Sequence, residues 1–428
     1  MKEKFLHFVW NFQLFQTRNL KTTTGSDIYI VKKGQWNDRD SGPDFFDARI
    51  QIGDTFWIGN VEIHTKSSDW DLHKHSQDEA YSNVILHVVF EHDKEIQFLK
   101  ERNIPTLELQ NYIPKETIFN YRQLIDSQRK FIPCEESLNL ISGETVRFWL
   151  ERVFVQRLER KVSETETEFA RNGKNWEQLL FKKLAYTFGL KINAEAFLHW
   201  ANSFDFKIIG KIQHRPESVE ALFLGQAGFL EAEPENEYVK SLQKEYQFLR
   251  NKYKLQPVNP AVFKFFRLRP PGFPTVRLAQ LAAVYSQYPS LFAFLTGSRS
   301  AGKIYPVFAD LELSGFWQNH YTLEKESPKN SPKKITGEFI QRIIINVIVP
   351  VKFAYARSLG KDINEELIDL LVSLPPEKNT IIARFAKRGL KARNAFESQA
   401  YLELKKHYCD EKNCLNCTIG LQILKNVR

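Results

Sequence analysis

Gly42-Pro43-Asp44-Phe45-Phe46-Asp47-Ala48 and Gly59-Asn60-Val61-Glu62-Ile63-His64 decide how the N-terminal part of this chain is read. Both stretches are short, apolar and opened by Gly or Pro, which is how strands are bounded. Side chains alternate between the two faces of a strand. Val61 and Ile63 therefore take the core face, while Glu62, His64 and Lys66 line the other. Phe46, Ala48, Ile50 and Ile52 share the parity of Asp44, which puts Asp44 at the mouth of its strand. Gly53-Asp54 supplies a turn, so a hairpin of 45–52 on 57–64 brings Asp44 and Glu62 to one end of neighbouring strands. Two carboxylates there form a hard-ligand site for Mg²⁺ or Mn²⁺. His64, or Lys66 instead, is placed to orient or deprotonate an attacking water.

Outward from this pair, 28–31 and 84–90 read as further strands. Glu91-His92-Asp93-Lys94 is expected to turn the chain into a strand over 95–99, with another short one at 106–109. Phe5, Phe8, Val9, Phe12 and Phe15 recur at helical spacing, so the chain opens with an amphipathic helix. Five of the ten histidines fall between 64 and 92. Ser67-Ser68-Asp69-Trp70 leads into His73-Lys74-His75, a loop running into a helix over 76–82. His73 and His75 would be a ligand pair on a strand, where i and i+2 share a face; in a loop, a softer metal, Zn²⁺ or Mn²⁺, would accept Glu62, His64 and one of the two. A cupin-like His/carboxylate enzyme is built that way. His87 reads as a strand residue and His92 as a turn residue.

The period changes after this region. Val146, Leu150, Val153, Phe154, Leu158 and Val162 suit a helix, as do 176–187, 217–224 and 237–250. Arg269-Pro270-Pro271-Gly272-Phe273-Pro274 opens another mainly helical region, 322–335 is a loop, and 396–408 is a last helix. Gly225-Gln226-Ala227-Gly228 reads as a tight helix contact or corner. The expected organisation is an α+β unit over 1–130 with a mixed sheet and flanking helices. It packs on helical regions 131–260 and 261–400 and is followed by a terminal segment 401–428.

Cys409, Cys414 and Cys417 cluster near the end, with His407 just before them and Cys134 far upstream. Three thiolates and the His407 imidazole suit tetrahedral Zn²⁺; Cys134 as fourth ligand gives a Cys₄ set for zinc or an iron–sulfur cluster. A reduced, unmetallated cluster or a redox pair, Cys414–Cys417, is the remaining alternative.

Lys+Arg 60 against Asp+Glu 51 gives a net charge of +9, which permits an anionic partner without requiring one. Lys264, Arg267 and Arg269, interleaved with phenylalanines, form one basic patch; Arg384, Lys387, Arg388 and Lys391 form another if their helix continues past Gly389. Either suits a DNA or RNA backbone. Four cysteines exclude a disulfide-framed scaffold. No apolar run is read as reaching the roughly 18 residues of a membrane helix, so no membrane contact is expected and the cytoplasm is the expected address. Phosphate-loop and nucleophile-elbow motifs are absent.

Pro43-Asp44 on one hairpin strand and Glu62-Ile63-His64 on the next resemble the core of the PD-(D/E)XK nuclease superfamily. That resemblance implies metal-dependent phosphodiester cleavage, with His64 standing where lysine is usual. The non-enzymatic alternative is a nucleic-acid-binding or scaffold protein with a structural metal. Taken with Ser67-Ser68-Asp69-Trp70, His73-x-His75, Leu86-His87-Val88-Val89, Arg267-Leu268-Arg269-Pro270-Pro271 and Tyr408 to Gly420, these stretches are similar to a Bacteroidota family catalogued as domain of unknown function 2851. The family implies no activity.

Overall fold

A computed structural model describes residues 2–37, 41–126, 130–171, 175–233 and 236–425. The fold is α+β. The chain divides into two compact units, residues 1–151 together with 402–428, and residues 152–401.

The first unit is built on a mixed sheet. Its elements are α1 (Glu3–Phe12), β1 (Leu20–Lys21), β2 (Asp27–Lys32), β3 (Gln35–Trp36), β4 (Phe45–Ile52), β5 (Thr55–Lys66), α2 (Asp69–Leu72), β6 (Val84–Glu91), α3 (Gln97–Glu101), β7 (Thr106–Glu108) and α4 (Lys115–Ile125). Strand order is β1-β2-β4-β5-β6-β7, with β3 paired to the start of β4. β2, β4 and β5 run antiparallel, and β6 and β7 add in parallel to β5. The four principal strands lie where alternation and turn residues put them.

Three local expectations fail for physical reasons. First, a β-bulge interrupts β4: Phe45 pairs with Val61 but Ala48 with Gly59, and Asp47 takes a φ of 53°. The inserted residue reverses the parity upstream of it. Phe45 is therefore buried instead of Phe46, and Asp44 does not share a face with Ala48 by simple alternation. Second, 97–101 is helical, not a strand. Ile96 and Leu99 recur at helical spacing and bury against Trp70, Tyr81 and Val84. Third, 76–82 is two 3₁₀ turns, His75–Gln77 and Glu79–Tyr81, because the Asp78 carboxylate accepts the Ala80 N–H at 2.9 Å and breaks the run.

Gly59 is required where β5 passes the chain entering β6. A Cβ there would lie 2.5 Å from Ile85 Cγ2 and 2.6 Å from the Asn83 carbonyl oxygen. The gap lets Asn60 N–H reach that carbonyl at 2.8 Å, which ties β6 beside Glu62.

The second unit is helical. α5 (Gly143–Arg171), which crosses from residue 151 to 152, is followed by α6 (Trp176–Phe188), α7 (Leu190–Ala201), α8 (Lys207–Ile212), α9 (Pro216–Gln226), α10 (Glu237–Tyr253) and α11 (Pro274–Gln287). An aromatic core of Phe181, Trp200, Phe204, Phe223 and Tyr285 joins α6, α7, α9 and α11. Gly225 is the close contact between α9 and the Tyr246 ring of α10, and Gly228 ends the corner at a φ of 78°. Residues 322–335 carry no helix or extended strand; Lys333 Nζ donates to the Gln318 carbonyl at 3.0 Å. One helix, 337–358, is long and apolar enough to cross a membrane by length and composition, and 83% of that window is buried. The sequence reading overlooked it because Glu338, Gln341, Arg342 and Lys352 interrupt the run.

A candidate metal centre

β5 carries Glu62 and His64 on one face, as alternation predicts, but that face is covered: Glu62 and His64 are 4% and 0% exposed. α1 and the α2 loop bring further side chains onto it. Glu62 Oε1 lies 3.5 Å from His64 Nε2 and 3.3 Å from His75 Nε2. His64 Nε2 lies 3.1 Å from His73 Nδ1 and 3.2 Å from His75 Nε2. Donors around a tetrahedral zinc at about 2.0–2.1 Å are separated by about 3.4 Å, so this spacing fits one ion.

The backbone of the loop brings these side chains together. Lys74, between the two histidines, adopts a left-handed φ of 61° that non-glycine residues rarely take. This turn lets His73, at the end of α2, and His75, opening the next 3₁₀ turn, face the same point. Trp70 is fully buried beneath them and donates from Nε1 to Ser76 Oγ at 3.1 Å. Tyr81 stacks on His75 with ring centroids 3.8 Å apart. Asp93 pins the start of the loop. It accepts Ser67 Oγ–H and Ser68 N–H at 3.0 Å and Ser68 Oγ–H at 2.8 Å. Those bonds hold the Asp93 carboxyl down at about 2 even against the effect of burial.

His64 is oriented from behind. Its Nδ1 lies 2.9 Å from His87 Nε2 on β6. With Nδ1–H donating to His87, the Nε2 lone pair faces the other imidazoles, the arrangement a second-shell partner gives a metal-ligating histidine. Burial, then the neighbouring imidazoles, drives His64 down to about 2, and burial drives His87 down to about 3. Burial and the Asp44 charge raise Glu62 to about 9. Each shift follows from burying the charged form of the group, for Glu62 and His64 beside others of the same kind.

Asp44 and Glu62 do meet. Asp44 N–H donates to Glu62 Oε2 at 3.1 Å, and Ile63 N–H donates to Asp44 Oδ2 at 2.9 Å. Asp44 Oδ2 also lies 3.1 Å from His7 Nε2 on α1. Among the described residues, two sets of three or more ligand atoms lie within 4.8 Å of one another: His64/His73/His75 and Glu3/His7/Asp44. Glu3 and His7 escaped the sequence reading. The signal was their four-residue spacing on the polar side of α1, opposite Phe5, Phe8 and Val9.

Lys66 instead pairs with Glu91, 3.8 Å away, and both are half exposed. The histidines converge as the cupin-like alternative required, but on an open sheet.

The four cysteines are free and all belong to the first unit. His407 turns to carboxylates, 3.6 Å from Glu403 and 3.4 Å from Glu411. Cys134 is a neighbour of the terminal thiols: burial, then the Cys417 and Cys414 charges, raises it to about 12. The Ile419 and Gly420 backbone N–H groups face Cys417 and partly offset the upward effect of its burial. Lys412 Nζ donates to the Ile125 carbonyl at 2.5 Å, and Trp149 meets Tyr408 edge-on at 5.1 Å, which fixes the tail to this unit.

Lys264, Arg267 and Arg269 are exposed in the second unit, and Arg267 lies 5.4 Å from the ring of Phe266, itself 80% exposed. The neighbouring Arg277 is a core residue, buried 4.2 Å from the Phe339 ring. Helix Thr380–Ala386 ends before Gly389, whose φ is 83°. Arg384, Lys387, Arg388 and Lys391 therefore do not share one continuous helix face.

No curated protein and no solved structure matches this chain. The family described as "Protein of unknown function (DUF2851)" matches residues 3–380. That span starts at Glu3, takes in the histidine and carboxylate cluster, and stops before the terminal cysteines. The chain belongs to the DUF2851 family.

Proposed function

We propose that this protein is a metal-dependent phosphodiesterase acting on nucleic acid. The observation that carries the reading is the convergence of Glu62, His64, His73 and His75 beside Asp44 at the end of the β4–β5 hairpin. His64, His73, His75 and Glu62 would hold the ion. Three imidazoles favour Zn²⁺ or Mn²⁺ over Mg²⁺, which prefers an all-oxygen shell. When bound, such an ion polarises a phosphoryl oxygen and acidifies water. The chain's own residues supply the frame: His87 fixes the His64 ring, Asp93 anchors the loop, and the Asp44 and Ile63 amides hold the two carboxylates in register. Solvent reaches the cluster at His73 and at the partly exposed Glu3. Exposed Arg267 beside Phe266 suits stacking on bases and contact with phosphate. The test is cleavage of labelled single- and double-stranded DNA and RNA with Mn²⁺, Zn²⁺ or Mg²⁺. Cleavage that depends on metal and is lost in His64→Ala is expected. Tight metal binding with no cleavage of any of these substrates would leave the scaffold alternative.

We also propose that Cys134, Cys409, Cys414 and Cys417 hold an iron–sulfur cluster. Sulfurs around one zinc at about 2.3 Å sit only about 3.8 Å apart. No three of these four sulfurs lie within 4.8 Å of one another. A cluster several atoms across holds its thiolates further apart. Four free thiols also accord with a reducing compartment, the cytoplasm.

A further inference from the structure

We propose that the centre is dinuclear: Glu3, His7 and Asp44 hold a second divalent cation, and the Glu3 carboxylate spans the two ions. This inference rests on the metal-dependent reading of the same site. The Glu3/His7/Asp44 ligand atoms lie within 4.8 Å of one another, as do those of His64/His73/His75. The sets touch. Glu3 Oε1 is 4.0 Å from His64 Nε2, within twice a metal–ligand bond of about 2.1 Å. Asp44 and Glu62 are joined through the Asp44 amide at 3.1 Å. Two-metal hydrolytic centres place their ions about 3.5–4 Å apart, which needs two adjoining ligand sets and a carboxylate able to reach both.

Charge supports a second ion. Glu3, Asp44 and Glu62 bring three carboxylates into one partly buried site, and among the described residues their ion-pair partners are histidines alone. No lysine or arginine among the described residues pairs with them. One divalent ion leaves a net negative site when all three are ionised, whereas two ions offset all three charges. The position of His7 also matters. Its Nε2 is buried and has no well-aligned hydrogen bond, yet it lies 3.1 Å from Asp44 Oδ2, and one of its ring nitrogens lies within 4.8 Å of a Glu3 carboxylate oxygen.

The experiment is metal stoichiometry and electron paramagnetic resonance of the full-length protein loaded with Mn²⁺ after chelator treatment, with no substrate present. Two ions per chain with an exchange-coupled spectrum are expected. His7→Ala, and separately Glu3→Gln, should each bind one ion and give an uncoupled six-line spectrum, with circular dichroism unchanged. Glu3→Gln is the milder change and keeps the test valid if His7→Ala misfolds. One ion per chain in the wild type, unchanged in either variant, would overturn the dinuclear proposal and leave a single-ion hydrolase standing. No ion bound in the wild type would overturn both.

Discussion

Asp44 and Glu62 are locked in a reciprocal exchange across β4 and β5: Glu62 Oε2 accepts the Asp44 N–H at 3.1 Å, and Asp44 Oδ2 accepts the Ile63 N–H at 2.9 Å. Each carboxylate is thus held by a backbone amide beside the other. Preorganisation of this kind spares the ordering cost that a metal would otherwise meet.

It follows that metal should act as a folding ligand. At a free concentration a hundredfold above its dissociation constant, Zn²⁺ or Mn²⁺ should add about 2.7 kcal/mol. Differential scanning fluorimetry should show the melting temperature rise by a few degrees in the wild type and by far less in Glu62→Gln. An equal rise in both proteins would remove Glu62 from the ligand set.

His87, 2.9 Å behind His64 Nδ1, should act as a positioning residue. Replacing it by Ala removes the acceptor behind His64 Nδ1, and loss of such an outer partner costs about 10–100-fold in metal affinity. Isothermal titration should show that loss, and His87→Gln, which keeps an acceptor oxygen, should recover part of it. Unchanged affinity in His87→Ala would mean that the His64 ring is fixed by packing alone.

Cys134 and His407 make opposite predictions. Cys134→Ser should lose the C-terminal metal, visible as loss of iron and labile sulfide in protein purified without oxygen. His407→Ala should keep it, because that imidazole faces Glu403 and Glu411. Retention of metal in Cys134→Ser with loss in His407→Ala would restore the tetrahedral zinc reading.

Glu220 gives the second unit a pH signature. Burial raises its carboxyl above the usual range even though it accepts Trp317 Nε1–H at 2.6 Å and Tyr238 O–H at 2.7 Å. A raised carboxyl binds its proton more tightly folded than unfolded, so stability falls as pH rises from the unfolded value, about 4.3, towards the folded one. Glu220→Gln cannot titrate. Melting curves between pH 4 and 8 should show the wild type losing stability relative to the variant as pH rises. Parallel curves would mean that Glu220 ionises as readily folded as unfolded.

Period and turn chemistry placed the principal strands and most of the long helices, since buried faces leave a repeat that is local. What they missed was non-local or a matter of one residue. The bulge at Asp47 depends on how β4 meets β5, and no repeat within β4 announces it. Glu3 and His7 sit on a helix far in sequence from Asp44, and only the fold brings α1 over the hairpin. A His-x-His pair is expected to face one point on a strand; in the loop seen here His73 and His75 do so only through the unusual backbone of Lys74. Lys66 had the right parity but lies beyond the end of the cluster, where Glu91 is its neighbour.

The first unit is completed by residues 402–428, with all of 152–401 lying between its two parts. On the ribosome this separates the halves in time. The sheet and Cys134 emerge early, while Cys409, Cys414 and Cys417 follow only after the whole helical unit has been made. At about 5–20 residues per second that interval is on the order of tens of seconds. Throughout it Cys134 is without the three thiols that neighbour it in the folded unit, so a nascent chain stalled before residue 402 carries every histidine and carboxylate clustered on β5 but only one of the four cysteines.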